Sequence, residues 1–400
     1  MKTLREVEDA LRPFVEIAAQ TTGESITIAR TERLAAYLGN PEKELKIIHV
    51  AGTSGKTSTC YAIRHLLEDN GYRTGLTVSP HIRSIAERVQ IAGETLEEAA
   101  FCRYLTEFMG LIDGYDETPS YFELMICFVY WVFVRELVEY AVIETGLGGQ
   151  QDSTNIAQRS DKIAVITDIG FDHMHVLGHT LSEIASQKAG ILSPGGVGLM
   201  YRQDDEVTAA VERVAAERDA QVIYVPEPDT KDFRVRNNTL AEAVYDYVAE
   251  RDGLAQRKND LGAYSDVPGR LYVAEQGGRS VIYDGAHNEQ KTRALVETLQ
   301  IEFPGETFSV VMAMKEGKEY LKCIDLLLPI ARRVFVAEFQ NVQDTPIHAI
   351  DAQILHDAWQ ETGIEVVTWS NLSQAVADAS QYNEKVLVTG SLYAVSELLQ

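Results

Sequence analysis

From Leu45 onward, short runs of β-branched and aliphatic residues alternate with longer stretches whose apolar positions recur at helical spacing. That alternation predicts βαβ units around a largely parallel sheet, hence an α/β fold. Strands are expected at Lys46–Ala51, Thr74–Val78, Tyr140–Glu144, Lys162–Thr167 and Gln221–Val225. Helices are expected at Lys56–Asn70, closed by Gly71, and at Leu96–Leu111, Tyr121–Glu139, Leu181–Lys188 and Asp205–Arg218. Between Gln256 and Asp266 turn residues replace the periodic apolar ones, and Pro268-Gly269 follows, so a domain boundary is expected near residue 269. The alternation then restarts: strands at Ser280–Tyr283, Phe308–Met312, Arg333–Ala337, Glu365–Thr368 and Lys385–Val388, with helices between them and one at the end. The second domain is the smaller.

Composition fits this reading. A chain of 400 residues exceeds what one core usually organises, and a 45% apolar, 24% charged make-up excludes disorder as the dominant state. The net charge of −24 disfavours binding to nucleic acid or an anionic bilayer, but says little about small anions, which local groups hold. Cys60, Cys102, Cys127 and Cys323 are far apart and form no Cys-x-x-Cys pair, so buried thiols are expected rather than disulfides or zinc. The charged N-terminus resembles no signal peptide and the apolar run Leu124–Val134 is too short to span a membrane, so a soluble cytoplasmic protein is expected.

The expected strand Lys46–Ala51 runs directly into Gly52-Thr53-Ser54-Gly55-Lys56-Thr57-Ser58 and a helix. Glycines let consecutive amides turn toward one anion, the helix N-terminus adds positive potential, Lys56 adds charge for the β/γ-phosphates, and the Thr57 hydroxyl suits Mg²⁺. Val50 occupies the place of the usual first glycine, so the loop is a shortened variant. A glycine turn that merely caps a helix would use the same residues.

His49-Val50-Ala51-Gly52-Thr53-Ser54-Gly55-Lys56 followed by Ser79-Pro80-His81 resembles the Mur ligase superfamily, in its folylpolyglutamate synthase/dihydrofolate synthase branch. Further blocks follow in order: Glu87-Arg88-Val89-Gln90-Ile91, Glu144-Thr145-Gly146-Leu147-Gly148-Gly149, Asp152-Ser153-Thr154-Asn155, Asp172-His173, Leu177-Gly178-His179-Thr180, Lys188-Ala189-Gly190-Ile191, Pro268-Gly269-Arg270, Asp284-Gly285-Ala286-His287-Asn288 and Thr389-Gly390-Ser391-Leu392-Tyr393. The resemblance implies a P-loop-type, mostly parallel ATPase domain over residues 1–268 and a Rossmann-like α/β domain over 269–400 that places the amino acid. It also implies ATP-driven amide ligation: a substrate carboxylate takes the γ-phosphoryl group, and an amino acid's α-amine attacks the acyl phosphate.

Phosphoryl transfer needs charge neutralisation more than a protein nucleophile, which suits the residue types present. Glu144 ends a strand at the carboxyl edge of the sheet, where α/β ligands bind; by resemblance it is a Mg²⁺ ligand, and otherwise a strand-end charge. His173 and Ser79 are implied as further contacts to two ions, although spacing alone allows a structural histidine and a turn serine. Lys188 resembles a lysine carbamylated by CO₂ into a carboxylate-like metal bridge; without that context it would be a solvated helix residue. Lys56, Lys188 and His173 are the expected catalytic groups. Arg270, Asp284, His287 and Asn237 are implied as nucleotide contacts. Arg270 alone would be an interdomain salt bridge, and Asn237 or its neighbour Asn238 a helix cap.

Thr57 stands where the folate branch usually has glycine, Ala86 where it commonly has asparagine, and Gln150 where it has arginine. Lys315-Glu316-Gly317-Lys318-Glu319 replaces a typical Asp-Lys-Asp block. The ordered blocks imply, by resemblance, addition of L-glutamate to folate or dihydropteroate by a monomer, while Thr57, Ala86 and Gln150 speak for a changed acceptor. Ligation of a non-folate acceptor and a non-ligating P-loop ATPase remain as alternatives.

Overall fold

Residues Lys46–Ala51 form β1 inside the first sheet, and burial of all but Lys46 explains an apolar run that only His49 interrupts. The computed structural model describes residues 1–20, 28–276, 278–342 and 346–400. The chain divides into two compact units, one of residues 1–81, 85–228 and 235–262, the other of 82–84, 229–234 and 263–400.

In the first unit, β2 (Thr74–Thr77), β3 (Gln90–Ile91), β4 (Glu94–Thr95), β5 (Tyr140–Glu144), β6 (Ile163–Ile166), β7 (Val197–Tyr201) and β8 (Gln221–Val225) join β1 in the order β4-β3-β2-β5-β1-β6-β7-β8. Only the β2–β3 and β3–β4 pairings, at one edge, are antiparallel. The strands expected over residues 74–78 and 162–167 end one residue early at one or both ends. β7 was not expected: Pro194-Gly195-Gly196 just before it obscures the apolar run. Helices α1 (Leu4–Gln20) and α2 (Ile28–Tyr37) precede β1 and also lie outside the sequence expectation. Then come α3 (Lys56–Asp69), α4 (Glu98–Leu111), α5 (Tyr121–Arg135), α6 (Met174–Leu177), α7 (Leu181–Ala189), α8 (Asp205–Glu217) and α9 (Phe233–Asp252). α5 is buried on nearly every side and opens with a capping box in which Ser120 and Glu123 satisfy each other's amides. α7 opens with a second box, Thr180 with Glu183.

The second unit holds β9 (Tyr272–Gln276), β10 (Arg279–Tyr283), β11 (Phe308–Met312), β12 (Ala331–Val336), β13 (Asn341–Val342), β14 (Pro346–Ile347), β15 (Glu365–Thr368) and β16 (Lys385–Thr389). Six of them form a sheet in the order β15-β12-β11-β16-β10-β9, parallel except for the edge strand β9. Helices α10 (Glu289–Glu302), α11 (Tyr320–Leu327), α12 (Ala352–Gln360), α13 (Leu372–Ala379) and α14 (Leu392–Leu399) alternate with the strands. Two apolar layers, one around Trp359 and Leu387 and one around Phe335 and Val388, cover its two faces. The four cysteines are free and buried, and among the described residues no helix is long and apolar enough to cross a membrane.

Candidate active site

The strand order determines where the chemistry gathers. β1 lies between β5 and β6, with Val50 beside Glu144 and Ala51 beside Ile166, so three strand ends open at one carboxyl edge. The loop leaving β1 is tied to the one leaving β6: Thr53 and Ser54 amides donate to Asp168 O at 2.8 and 3.1 Å, and Thr167 Oγ1 donates to Ser54 O at 2.6 Å. Two of the amides expected to face an anion are thus held by a carbonyl. Gly52 has no room for a side chain, since a Cβ there would sit 1.8 Å from Thr167 Oγ1.

Glu144 is buried at the end of β5; its Oε1 accepts from Thr57 Oγ1 at 2.8 Å and its Oε2 from the Ser79 amide at 3.1 Å. Ser79 therefore reaches the carboxylate through its backbone. Lys188, in the last turn of α7, is 4% exposed and donates to Gly52 O at 2.9 Å. Lys56 donates to the same carbonyl at 3.1 Å. Two lysines from different helices thus converge on one loop oxygen. His173 lies on the β6 exit segment with φ 51°, N-terminal to α6, and its ring is 3.8 Å from the Asp172 carboxylate.

Sequence reasoning did not single out Thr167, Asp168 or Arg236 as site residues. Arg236 binds Asp168 through two nitrogens at 3.1 and 2.7 Å and lies over the Tyr201 ring. The Thr-Asp pair ending the run Ala164–Ile166 was the available signal. Asn237 and Asn238 lie inside α9 rather than at its start, so neither caps it. Asn237 Oδ1 would be 2.5 Å from a Cβ on Gly55, which places it against the phosphate loop. His49, from the first motif block, is fully buried between Thr154 and Thr145; burial, then Lys162, holds its pKa well below the usual value.

Thr77, Ser79, Arg88, Phe122 and Met125 pack around the carboxylate of Glu144, leaving only a narrow gap. Buried Arg88 donates to His81 Nδ1 at 3.1 Å, and burial followed by this guanidinium keeps His81 well below its usual pKa. In the second unit, Asp284 Oδ2 and Oδ1 each accept, at 2.9 Å, from the Leu271 and Ala286 amides. Burial raises its pKa, while Arg270 and those amides pull it back. His287 has Nδ1 2.9 Å from Gly285 O and Nε2 3.0 Å from Lys291 Nζ. Because the carbonyl can only accept and the ammonium only donate, the proton is assigned to Nδ1.

The set Thr57, Ser79 and Glu144 is an oxygen set, which suits a hard divalent ion that takes one or two carboxylates and fills its remaining positions with phosphate oxygens and water. Among the described residues no three His, Cys, Asp or Glu side chains cluster as a metal cage.

Two family models match the chain: Mur ligase middle domain over residues 50–249 and dihydrofolate synthetase C-terminal domain over 271–400. The dihydrofolate synthase/folylpolyglutamate synthase of Bacillus subtilis is 31% identical, covering 93% of this chain and 94% of that protein. The chain belongs to the dihydrofolate synthase/folylpolyglutamate synthase family. The Saccharomyces cerevisiae dihydrofolate synthetase of that family is 28% identical over 93% of this chain and 97% of its own length. Among solved structures, Mycobacterium tuberculosis folylpolyglutamate synthase complexed with ADP and AMPPCP matches with TM-score 0.81 at 26% identity, covering 93% of this chain and 94% of that one. The Yersinia pestis bifunctional enzyme complexed with AMPPNP and Mn ion matches with TM-score 0.78 at 25% identity, covering 93% and 92% of the two chains.

Proposed function

We propose that this protein joins L-glutamate to the carboxylate of dihydropteroate or a folate, at the expense of ATP. The observation that carries the reading is the meeting of Lys56 and Lys188 on Gly52 O, on the loop that leads into α3, where Thr57 binds the Glu144 carboxylate. An acceptor carboxylate oxygen attacks the γ-phosphorus, the bond to the β–γ bridging oxygen breaks, and ADP leaves. The glutamate α-amine then adds to the acyl phosphate carbonyl, loses its proton, and inorganic phosphate departs as the amide forms.

Each residue has a task in this sequence. Lys56 turns from Gly52 O to the β/γ-phosphates, and the amides of residues 55–58 with the α3 N-terminus hold phosphate oxygens. Thr53 and Ser54 shape the loop through Asp168. Thr57, Ser79 and Glu144, with His173, would hold Mg²⁺, which when bound would supply charge neutralisation at the transferring phosphoryl group. Asn237, Arg270, Asp284 and His287 serve the nucleotide, and residues 269–400 place the amino acid.

A carbamate on Lys188 would keep an N–H for Gly52 O while adding two anionic oxygens for a second ion; ¹³C-bicarbonate labelling read by NMR tests it. The protein is proposed to act in the cytoplasm as a monomer. Incubation with ATP, Mg²⁺, L-glutamate and a panel of pteroate and folate acceptors should yield, by mass spectrometry, acceptors extended by one glutamyl residue. Products formed only on non-folate acids would overturn the folate assignment.

A further inference from the structure

The motif residue Asn155 has no part in the steps above, yet it is 1% exposed and ties together the two segments that carry Glu144 and Lys188. Its Nδ2 donates to Gln150 O at 3.2 Å, on the loop that leaves β5, and to Gly190 O at 3.0 Å, immediately after α7. Its Oδ1 accepts from Lys162 Nζ at 3.0 Å. The ammonium can only donate and the two carbonyls can only accept, so the amide has one orientation that satisfies all three partners. The Gln150 amide adds a fourth tie, donating to Gln187 O at 2.8 Å.

The segments also touch backbone to backbone. A Cβ on Gly149 would sit 2.7 Å from Gln187 O and 3.0 Å from Lys188 O, and one on Gly190 would sit 2.4 Å from Gln150 Cβ. Any loosening of this seam moves Lys188 relative to the strand that ends in Glu144. Lys162 is itself 2% exposed, and burial followed by nearby Arg218 brings its pKa down to about 7. A donor on the carbonyl side of an amide polarises it and strengthens its N–H donors, most of all while the lysine is protonated.

We propose that Asn155, backed by Lys162, is a positioning residue that clamps the β5 exit loop to the end of α7 and so fixes where Lys188 stands relative to Glu144. This rests on the ligase reading for its kinetic consequence but not for the clamp itself. Residues that orient a site through its ligands typically change activity 10- to 100-fold when altered.

The decisive variant is Asn155→Asp, which keeps an acceptor for Lys162 but loses both donors and sets a carboxylate against two carbonyls. Lys162→Met is its counterpart, leaving both donors in place. Hydrogen exchange, glutamate-dependent phosphate release and thermal denaturation are measured on both and on wild type. Asn155→Asp should melt within a few degrees of wild type, exchange the Gln150 amide at least tenfold faster, and lose about 10- to 100-fold in kcat with little change in KM for ATP. Lys162→Met should shift both quantities in the same direction, by less. Unchanged Gln150 exchange in a folded Asn155→Asp or Lys162→Met protein overturns the clamp, and kcat within twofold of wild type overturns its role in ligation. If wild type shows no glutamate-dependent turnover, the ligase reading fails, while the exchange comparison still decides the clamp.

Discussion

Lys56 and Lys188 donate to one carbonyl from two different helices, and Glu144 binds the hydroxyl of the residue after Lys56. At this scale each group has a role that one substitution can isolate. Glu144→Gln keeps an acceptor oxygen and the side-chain volume but removes the anion. Because a buried carboxylate costs more to desolvate than an amide, thermal stability should hold or rise. Glutamate-dependent phosphate release should fall about 10²- to 10³-fold, the range for removing a group that stabilises transition-state charge. Steady-state rates and a melting curve check both, and an active Glu144→Gln enzyme would exclude it as the metal carboxylate. Gly52→Ala has nowhere to put its methyl, 1.8 Å from Thr167 Oγ1. Displaced loop backbone should abolish ATP binding, measurable by calorimetry; wild-type affinity would mean that this loop does not hold the nucleotide.

Among the elements, α7 delivers Lys188, and its start is fixed by the capping box of Thr180 and Glu183. Glu183 Oε2 accepts from the His179 and Thr180 amides at 2.7 and 3.0 Å, which lowers its pKa. A carboxyl whose folded pKa is depressed adds stability that is present above its unfolded pKa and is lost as pH falls through the folded value. The stability gap between wild type and Glu183→Gln should therefore be full at neutral pH and close under acid conditions below the usual glutamate range, as denaturant titrations can follow; a gap that widens on acidification would contradict it. Thr180→Ala should cost about 1 kcal/mol in the same experiment.

The elements also show what the sequence made legible. The run at Lys46–Ala51 and the motif at Gly52 gave β1, the loop and α3 directly, because periodicity and glycine chemistry are local. The Leu177-Gly178-His179-Thr180 block was visible as a motif, but its physical role, capping the lysine helix, needed the Glu183 contacts. Asp168 and Arg236 were not legible as a pair, since 68 residues separate them and only the packing of α9 beside the β6 exit joins them. In the Asn155 seam only the Gly190 tie is distant, 35 residues away, while Gln150 and Lys162 lie within seven residues.

For the whole molecule, the net charge of −24 is a destabilising self-repulsion that salt screens over roughly a Debye length of 10 Å at 0.1 M. The thermal midpoint should rise as NaCl increases from about 0.01 to about 0.3 M, and a fall would show that specific ion pairs outweigh the general repulsion. The same charge makes Lys56 and bound Mg²⁺ more consequential for an anionic substrate, because the rest of the chain does not attract it. The most direct measurement is phosphate release in reactions lacking one component at a time: ATP, Mg²⁺, L-glutamate or the pteroate or folate acceptor. Release matched one-to-one by ADP and by glutamylated product, and absent whenever any component is omitted, is the expected outcome. Phosphate release that continues without acceptor and glutamate, with no amide formed, would contradict ligation.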